Sequence, residues 1–168
     1  RYNFLNPRLG ISYIHHRHNL FASVAVAHRE PTRSDFTDRY MFSADDSYPK
    51  PERLIDFEVG YTYIAPRLSL GINLYYMLYH NQLVATGMVN DGDDALNTNV
   101  DKSYRRGVEL MASWRVAKWF TLSANATLSQ NKIKDYVDEL KDSPTYGENL
   151  GEKSISYSPS VVGSLIAD

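Results

Sequence analysis

The stretch from residue 50 to residue 63, KPERLIDFEVGYTY, alternates apolar and polar side chains. A period of two is the pattern of a β-strand with two different faces. The apolar positions are Ile55, Phe57, Val59, Tyr61 and Tyr63, and the polar positions are Asp56, Glu58 and Thr62. Two interpretations follow: the apolar face packs on a protein core with the polar face in water, or it meets lipid while the polar face lines a wet interior.

Composition narrows the classes of protein that this chain can belong to. Its 168 residues suffice for one domain, and a net charge of −2 gives no electrostatic case for binding nucleic acid. Cysteine is absent, which excludes disulfides and thiolate metal sites. The 13 tyrosines suit strands and positions where one end of a side chain is dry and the other wet. No apolar run of about 18 residues predicts a membrane helix, and a membrane β-barrel would not contain one.

The same alternation recurs along the chain and predicts seven strands. They cover residues 4–14, 20–28, 54–64, 68–83, 104–116, 120–132 and 160–167. The connections alternate between short (15–19, 65–67, 117–118) and long and polar (29–53, 84–103, 133–159). Short turns at one end and long loops at the other are typical of outer-membrane barrels. A strand of eleven residues, tilted by ~40°, also rises about 28 Å, enough to cross the ~25 Å apolar band of such a barrel.

These observations favour lipid as the partner of the apolar face. The sequence therefore predicts an all-β protein, an antiparallel up-and-down transmembrane β-barrel segment of about seven strands. Aromatic side chains near both ends of the strands predict two interfacial girdles. Two alternatives remain: a soluble β-barrel that binds a small hydrophobic ligand, and an outer-membrane passive pore or enzyme.

An ordered series of short motifs gives the chain a resemblance to a known family. NPRLGISY (6–13), the stretch 20–32 ending in REPT, KPE and FEVGY (50–61), and RGVEL with WFTLSAN (106–125) resemble the barrel of TonB-dependent outer-membrane receptors, of a Bacteroidetes type. The resemblance implies a 22-stranded barrel filled by an N-terminal plug, and it places residues 1–168 in the barrel domain as an interior segment without the plug and closing strands.

The resemblance also implies a function for the whole receptor. Such a protein lies in the outer membrane of a Gram-negative cell, in contact with its lipid. It takes up a scarce nutrient, which can be a siderophore, haem, cobalamin or a glycan. The energy comes from the inner-membrane TonB complex, which acts through the plug region. No enzyme activity, cofactor or nucleic acid is expected.

The first long connection contains the candidate ligand-binding residues. Guanidinium and phenol groups can hold an anionic or aromatic ligand by charge and stacking. The candidates are Arg29, Arg33, Arg39, Tyr40 and Tyr48. An ordinary solvated loop would have a similar composition, so this remains a hypothesis.

The second long connection contains a weaker candidate for a metal site. Asp91, Asp93 and Asp94 offer the carboxylate oxygens that Ca²⁺ prefers. They lack the later glutamate and the flanking helices of a helix–loop–helix calcium site, so a solvated acidic loop is the favoured interpretation and no metal is expected.

Charges on the polar faces predict ion pairs across the wall. Arg105, Glu109 and Arg115 share the polar face of one strand. If that face lines the interior, they can pair with Asp56 and Glu58. We expect these charges to have a structural role, and we find no nucleophile, base and acid arranged for catalysis.

Overall fold

A computed structural model describes residues 2–37, 48–89, 95–138 and 143–168, with the side chains of all these except 86–89, 95 and 96. One antiparallel sheet dominates the described chain. Its strands are β1 Arg8–His15, β2 His18–Arg29, β3 Glu52–Ala65, β4 Leu68–Val89, β5 Ala95–Ala117, β6 Phe120–Lys134, β7 Lys153–Ser154 and β8 Val161–Ala167. One short helix, α1 Arg33–Thr37, lies between β2 and β3.

Strands that follow each other in sequence lie side by side in the sheet. The order is β1 to β6, after which β7 and β8 pair with different parts of the free edge of β6. This confirms the predicted antiparallel up-and-down arrangement, with the two-residue β7 added to the seven expected strands. β1 and β8 lie at opposite edges, so the sheet is not closed within the described residues.

Three tight turns lie at the same end of the sheet. The pairs His15↔His18, Ala65↔Leu68 and Ala117↔Phe120 close β1–β2, β3–β4 and β5–β6. His16 has a φ of 53°, the left-handed conformation that two-residue hairpin loops often need. The expected one-sided placement of the short turns is therefore present.

The register places apolar residues from every long strand on one face. One row across the sheet is Ile11, Ala22, Val59, Leu74, Val108, Leu128 and Val161. Val59 is 52% exposed and Leu74 is 48% exposed, whereas Glu58 and Asn73 on the opposite face are half-buried. Side chains crowd together on the inner side of a curved sheet and spread apart on the outer side. The apolar face is therefore the outer face and does not form a core.

The end of the sheet opposite the turns differs from expectation. Residues 84–103 were predicted to be a long loop, but β4 and β5 continue as a paired hairpin, with Gln82 opposite Val100 and Ala85 opposite Asn97. A small core forms there from Val84, Val100, Ile133 and Ile155, with Tyr136 packed against it. Among the described residues, no helix has both the length and the apolar character to cross a membrane.

Helix α1 ties the first long connection to β5. Asp35 is buried and accepts hydrogen bonds from the Thr32 backbone N–H and hydroxyl, both at 2.7 Å. It also accepts a 3.0 Å bond from Asn97 Nδ2. These bonds fold the residues after β2 back onto the β4–β5 hairpin.

The expected aromatic girdles are only partly present on the outer face. Tyr13, Tyr61, Tyr63 and Trp114 lie there near the short turns. Tyr76 and Tyr104 lie there nearer the opposite end, with ring centroids 6.2 Å apart. Phe21 and Tyr75 instead face inward, each over a glycine of the neighbouring strand, Gly60 and Gly107. A ring over a strand glycine fills the space that a missing side chain leaves, so these two rings pack within the sheet.

Candidate functional site

The inner face of the sheet presents a group of polar side chains near its middle, here called the inner wall: Asp56, Glu58, Asn73, Arg105 and Glu109. The register places them in three successive inward-facing rows. Asn73 and Glu109 lie in the first row, Glu58 in the second, and Asp56 and Arg105 in the third. Their position follows directly from the period of two, because each one neighbours an apolar residue that faces outward. All five are half-buried.

Hydrogen bonds within the inner wall are few. Asn73 Nδ2 donates to Glu109 Oε2 at 3.3 Å, and Arg105 Nη1 donates to Ser158 Oγ at 3.3 Å. The Arg105 guanidinium carbon lies 5.9 Å from the Tyr79 ring centroid. The inward position of Asp56, Glu58, Arg105 and Glu109 agrees with expectation.

The predicted ion pairs across the wall are wrong. The ion pairs found among the described residues join Arg29 to Glu52 and Lys132 to Glu152, and neither involves Arg105, Arg115, Asp56 or Glu58. The physical reason is distance: Asp56 and Arg105 share a row but are separated by a strand, at roughly 4.8 Å per strand step.

Several polar atoms of the inner wall remain without a partner. Asp56 Oδ1, Asn73 Oδ1 and Arg105 Nε are buried and have no hydrogen-bond partner among the described residues. Asn73 and Arg105 also line a cavity of about 360 Å³, together with Glu58, Glu109 and Tyr157 among others. Buried polar atoms in native proteins are nearly always satisfied, so this surface is built to meet water, a ligand or another protein surface.

Arg29, a predicted ligand contact, is held by a carboxylate. Its Nε lies 2.8 Å from Glu52 Oε1, and its Nη2 donates to Glu52 Oε2 at 3.2 Å. Glu52 Oε2 also accepts a 3.0 Å bond from the Leu83 backbone N–H. Arg29 therefore joins the ends of β2 and β3 to the start of the β4 extension.

The other predicted ligand-binding residues are distributed over different surroundings. Arg33 is the first residue of α1 and is exposed, and the Tyr48 ring centroid lies 6.3 Å from that of Phe36 in the same helix. Arg39 and Tyr40 lie outside the described residues. The proposed role of all five therefore stays a prediction.

A metal site with three or more side-chain ligands has no support in the part of the chain that the structure describes. There, no group of three or more His, Asp or Glu residues could hold a metal ion. Asp91, Asp93 and Asp94 lie outside the described residues.

Two residues of the cavity were not among the predicted inward-facing residues. Tyr157 and Ser158 precede β8 in a connection predicted to be a long loop, and only the fold of that connection brings them to the inner wall. Asn73 could have been found, because it alternates with the apolar Ile72 and Leu74 on a long strand.

Comparison with known proteins agrees with this two-faced sheet. The profile of the family described as "TonB dependent receptor-like, beta-barrel" matches residues 1–167. The chain belongs to this family. The resemblance noted in the sequence is thereby confirmed, and with it the location of the receptor in the outer membrane of a Gram-negative cell.

Solved structures share the fold at low sequence identity. The FrpB iron transporter from Neisseria meningitidis matches with a TM-score of 0.58 and 21% identity, over 88% of this chain and 23% of its own. The ferric-catecholate import receptor Fiu from E. coli K12 matches with 0.61 and 17%, over 95% and 21%. The siderophore receptor PirA from Pseudomonas aeruginosa matches with 0.59 and 15%, over 75% and 28%.

The TonB-dependent receptor segment thus matches between 21% and 28% of the length of these proteins. No curated protein sequence is significantly similar to it.

Proposed function

We propose that the segment forms part of the wall of an outer-membrane transporter that takes up a scarce nutrient and draws its energy from the TonB complex. The single observation that carries this proposal is the family match over residues 1–167. The sheet supports it, because its apolar face is exposed and its inner wall is polar. We infer further that residues 1–168 are an interior part of the barrel, and that a plug domain elsewhere in the receptor contacts TonB.

The polar inner wall fits a transporter better than a soluble binding module. A soluble barrel would bury Val59 and Leu74, which are about half exposed here. The unpartnered atoms of Asp56, Asn73 and Arg105 are suited to contacts with a plug or a passing polar solute. We propose only the class of the nutrient, which is a siderophore, haem, cobalamin or a glycan. We propose that it contacts Arg29, Arg33 and Tyr48 near the long connections.

The experiment uses the full-length receptor in its own cell. A strain lacking its gene should lose uptake of one labelled compound from a panel of ferric siderophores, haem, cobalamin and oligosaccharides, and the gene should restore it. Uptake should disappear when TonB is removed. Uptake that persists without TonB would overturn active transport in favour of a passive pore, and conversion of the compound by the purified receptor would favour an enzyme.

A pair of variants tests the contribution of the inner wall. Glu109→Gln removes one charge that is hydrogen-bonded to Asn73, and Glu148→Gln removes one charge from an exposed loop position. We expect slower uptake in Glu109→Gln and normal uptake in Glu148→Gln, at equal amounts of folded receptor. Equal uptake by both variants would contradict a role of Glu109 in the transport path.

A further inference from the structure

Three histidines surround the first short turn of the sheet, in the sequence HHRH at residues 15–18. His15 ends β1, His18 begins β2, and the two residues are paired across the turn. His16 Nδ1 lies 2.8 Å from His15 Nε2, and the two rings meet edge to face with their centroids 4.1 Å apart. Both side chains are exposed, so solvent reaches this pair of nitrogens.

The third imidazole, that of His18, is held by the neighbouring strand. Its Nδ1 lies 2.7 Å from Tyr61 Oη, and its ring centroid lies 5.1 Å from that of Tyr63. The fold therefore brings two of the three imidazoles together, and we call His15 and His16 the turn pair. Because no group of three or more His, Asp or Glu in the described chain could hold a metal ion, an ion at the turn pair would keep water in its other positions.

The backbone of His16 distinguishes this turn from the other two. Its φ of 53° is a conformation that residues with a side chain adopt infrequently. The turns at residues 66–67 and 118–119 contain no residue with a positive φ. A short turn of this sheet can thus close without that conformation, which at His16 sets the direction in which the ring leaves the turn, toward His15.

The distance between the two nitrogens of the turn pair selects the kind of metal ion. A bond from a metal to an imidazole nitrogen is about 2.0–2.1 Å long, so nitrogens 2.8 Å apart subtend an angle of about 86° at the ion. A tetrahedral ion would need nitrogens about 3.3–3.4 Å apart. An angle near 90° suits the tetragonal geometry of Cu²⁺ and Ni²⁺, and Cu²⁺ binds such ligands more tightly than the other divalent ions of its row.

Without a metal ion, the two nitrogens share one proton. A neutral imidazole has one N–H and one lone pair, so one ring of the turn pair donates and the other accepts. An ion needs both lone pairs, which become available when the donating ring carries its proton on its other nitrogen. This is an exchange of tautomers in a neutral ring, so no net proton is released, and the exposure of both rings lets water carry the proton.

We propose that the turn pair binds one Cu²⁺ ion through His15 Nε2 and His16 Nδ1. The proposal uses the proposed orientation, in which the short turns face the periplasm and the extended β4–β5 end faces outward. The periplasm is an oxidising compartment, which favours Cu²⁺ with imidazole ligands over Cu⁺ with thiolates. The chain contains no cysteine that could compete for the ion.

The test uses the purified full-length receptor in a neutral detergent, stripped of metal and titrated with Cu²⁺. Isothermal titration gives the affinity and the number of ions bound, and electron paramagnetic resonance counts the nitrogens on the ion. The variant His15→Gln/His16→Asn removes the turn pair, and Asn adopts the left-handed backbone of such turns readily. The control His28→Gln/His80→Gln removes two histidines from the other end of β2 and β4.

We expect the turn-pair variant to bind one Cu²⁺ fewer than the unmodified receptor, and the control to bind the same number. Each single variant, His15→Gln or His16→Asn, should weaken that ion by about tenfold or more, because a lone imidazole lacks the second, linked ligand. His18→Gln should leave the affinity nearly unchanged. If the double variant does not fold, His15→Gln takes its place, since it leaves the turn itself intact.

Equal numbers of bound ions in the turn-pair and control variants would overturn the proposal. A resonance spectrum without two nitrogens on the turn-pair ion, or loss of that ion in His18→Gln, would overturn the assignment of His15 and His16 as its ligands. Nutrient uptake does not enter these measurements, so a failure of the transport proposal and a failure of copper binding are distinguishable.

Discussion

Gly107 lies where a side chain would meet fixed neighbours on the inner face. A Cβ at this position would be 2.6 Å from the backbone oxygen of Leu128 and 2.5 Å from Tyr75 Oη. Gly10, also in a strand of this sheet, would bring its Cβ no closer than 3.5 Å to Ser23 Cβ. The two glycines therefore make a matched pair for measuring the close approach.

We predict that Gly107→Ala destabilises the full-length receptor by about 1–3 kcal/mol, because the β6 backbone must move to make room. Gly10→Ala should leave stability nearly unchanged. The measurement is the unfolding transition in detergent or vesicles. Equal transitions for the two variants would show that the sheet relaxes at Gly107 without cost.

Arg29 gives a second prediction at this scale. If Arg29 acts only by positioning the ends of β2 and β3, then Glu52→Gln and Arg29→Ala should weaken nutrient binding to a similar degree, and the double variant should be no worse. Arg29 is exposed although Glu52 is largely covered, and removing one such ion pair should cost little enough that both receptors still fold.

Binding of the purified receptor to its nutrient, followed by isothermal titration, checks this prediction. A loss in Arg29→Ala that Glu52→Gln does not reproduce would instead make Arg29 a direct contact. Sequence reasoning could not choose between these roles, because Glu52 lies 23 residues from Arg29 in the chain.

At the scale of elements, the small core at the end of the sheet opposite the short turns holds the last long connection to the β4–β5 hairpin. Ile155 is 6% exposed and packs with Val84, Val100 and Ile133, whereas Ile64 near a short turn is 60% exposed. We predict that Ile155→Ala costs about 2–4 kcal/mol of local stability, because it leaves a cavity.

Hydrogen exchange should show this as faster exchange in residues 133–155, with the lower halves of β3 and β4 unchanged. The control Ile64→Ala should alter neither region. Unchanged exchange around Ile155 would mean that the cluster contributes little to holding the connection.

The strands that cross the apolar band were predictable, and the structure around them was not. Ile55 to Tyr63 alternate because one face meets an apolar and the other a polar environment, and the predicted positions of the six longest strands are correct to within a few residues outside the extensions. Above the band both faces of a hairpin meet water, so LNTNV in β5 has no alternation and was taken for loop. The inward turn of Phe21 and Tyr75 depends on the glycines opposite them, which only the register reveals.

At the scale of the whole molecule, an added positive charge should destabilise the receptor when it is placed on the outer face of the sheet and be tolerated on the inner face. Leu74 and Asn73 are neighbours at mid-strand, facing outward and inward. We predict that Leu74→Arg costs about 2–4 kcal/mol, as lipid-facing arginines do near the middle of a membrane. Asn73→Arg should be tolerated, because its charge lies beside Glu109 and Glu58.

The amount of heat-modifiable, folded receptor in the outer membrane measures both variants, and unfolding in lipid vesicles gives the free energies. A result in which Asn73→Arg is the more damaging change would reverse the assignment of the lipid face.

The paired extension of β4 and β5 bears on which part of the receptor external molecules contact first. From Gln82 to Val89 the strand continues for about 20 Å past the outer row that contains His80, at ~3.3 Å per residue and a tilt of ~40°. In the proposed orientation, with the short turns in the periplasm, this hairpin projects from the cell surface. An antibody, a phage fibre or a bacterial toxin arriving from the medium would contact this hairpin before it reached the membrane. Selection for escape from such molecules should therefore act first on the sequence of the hairpin.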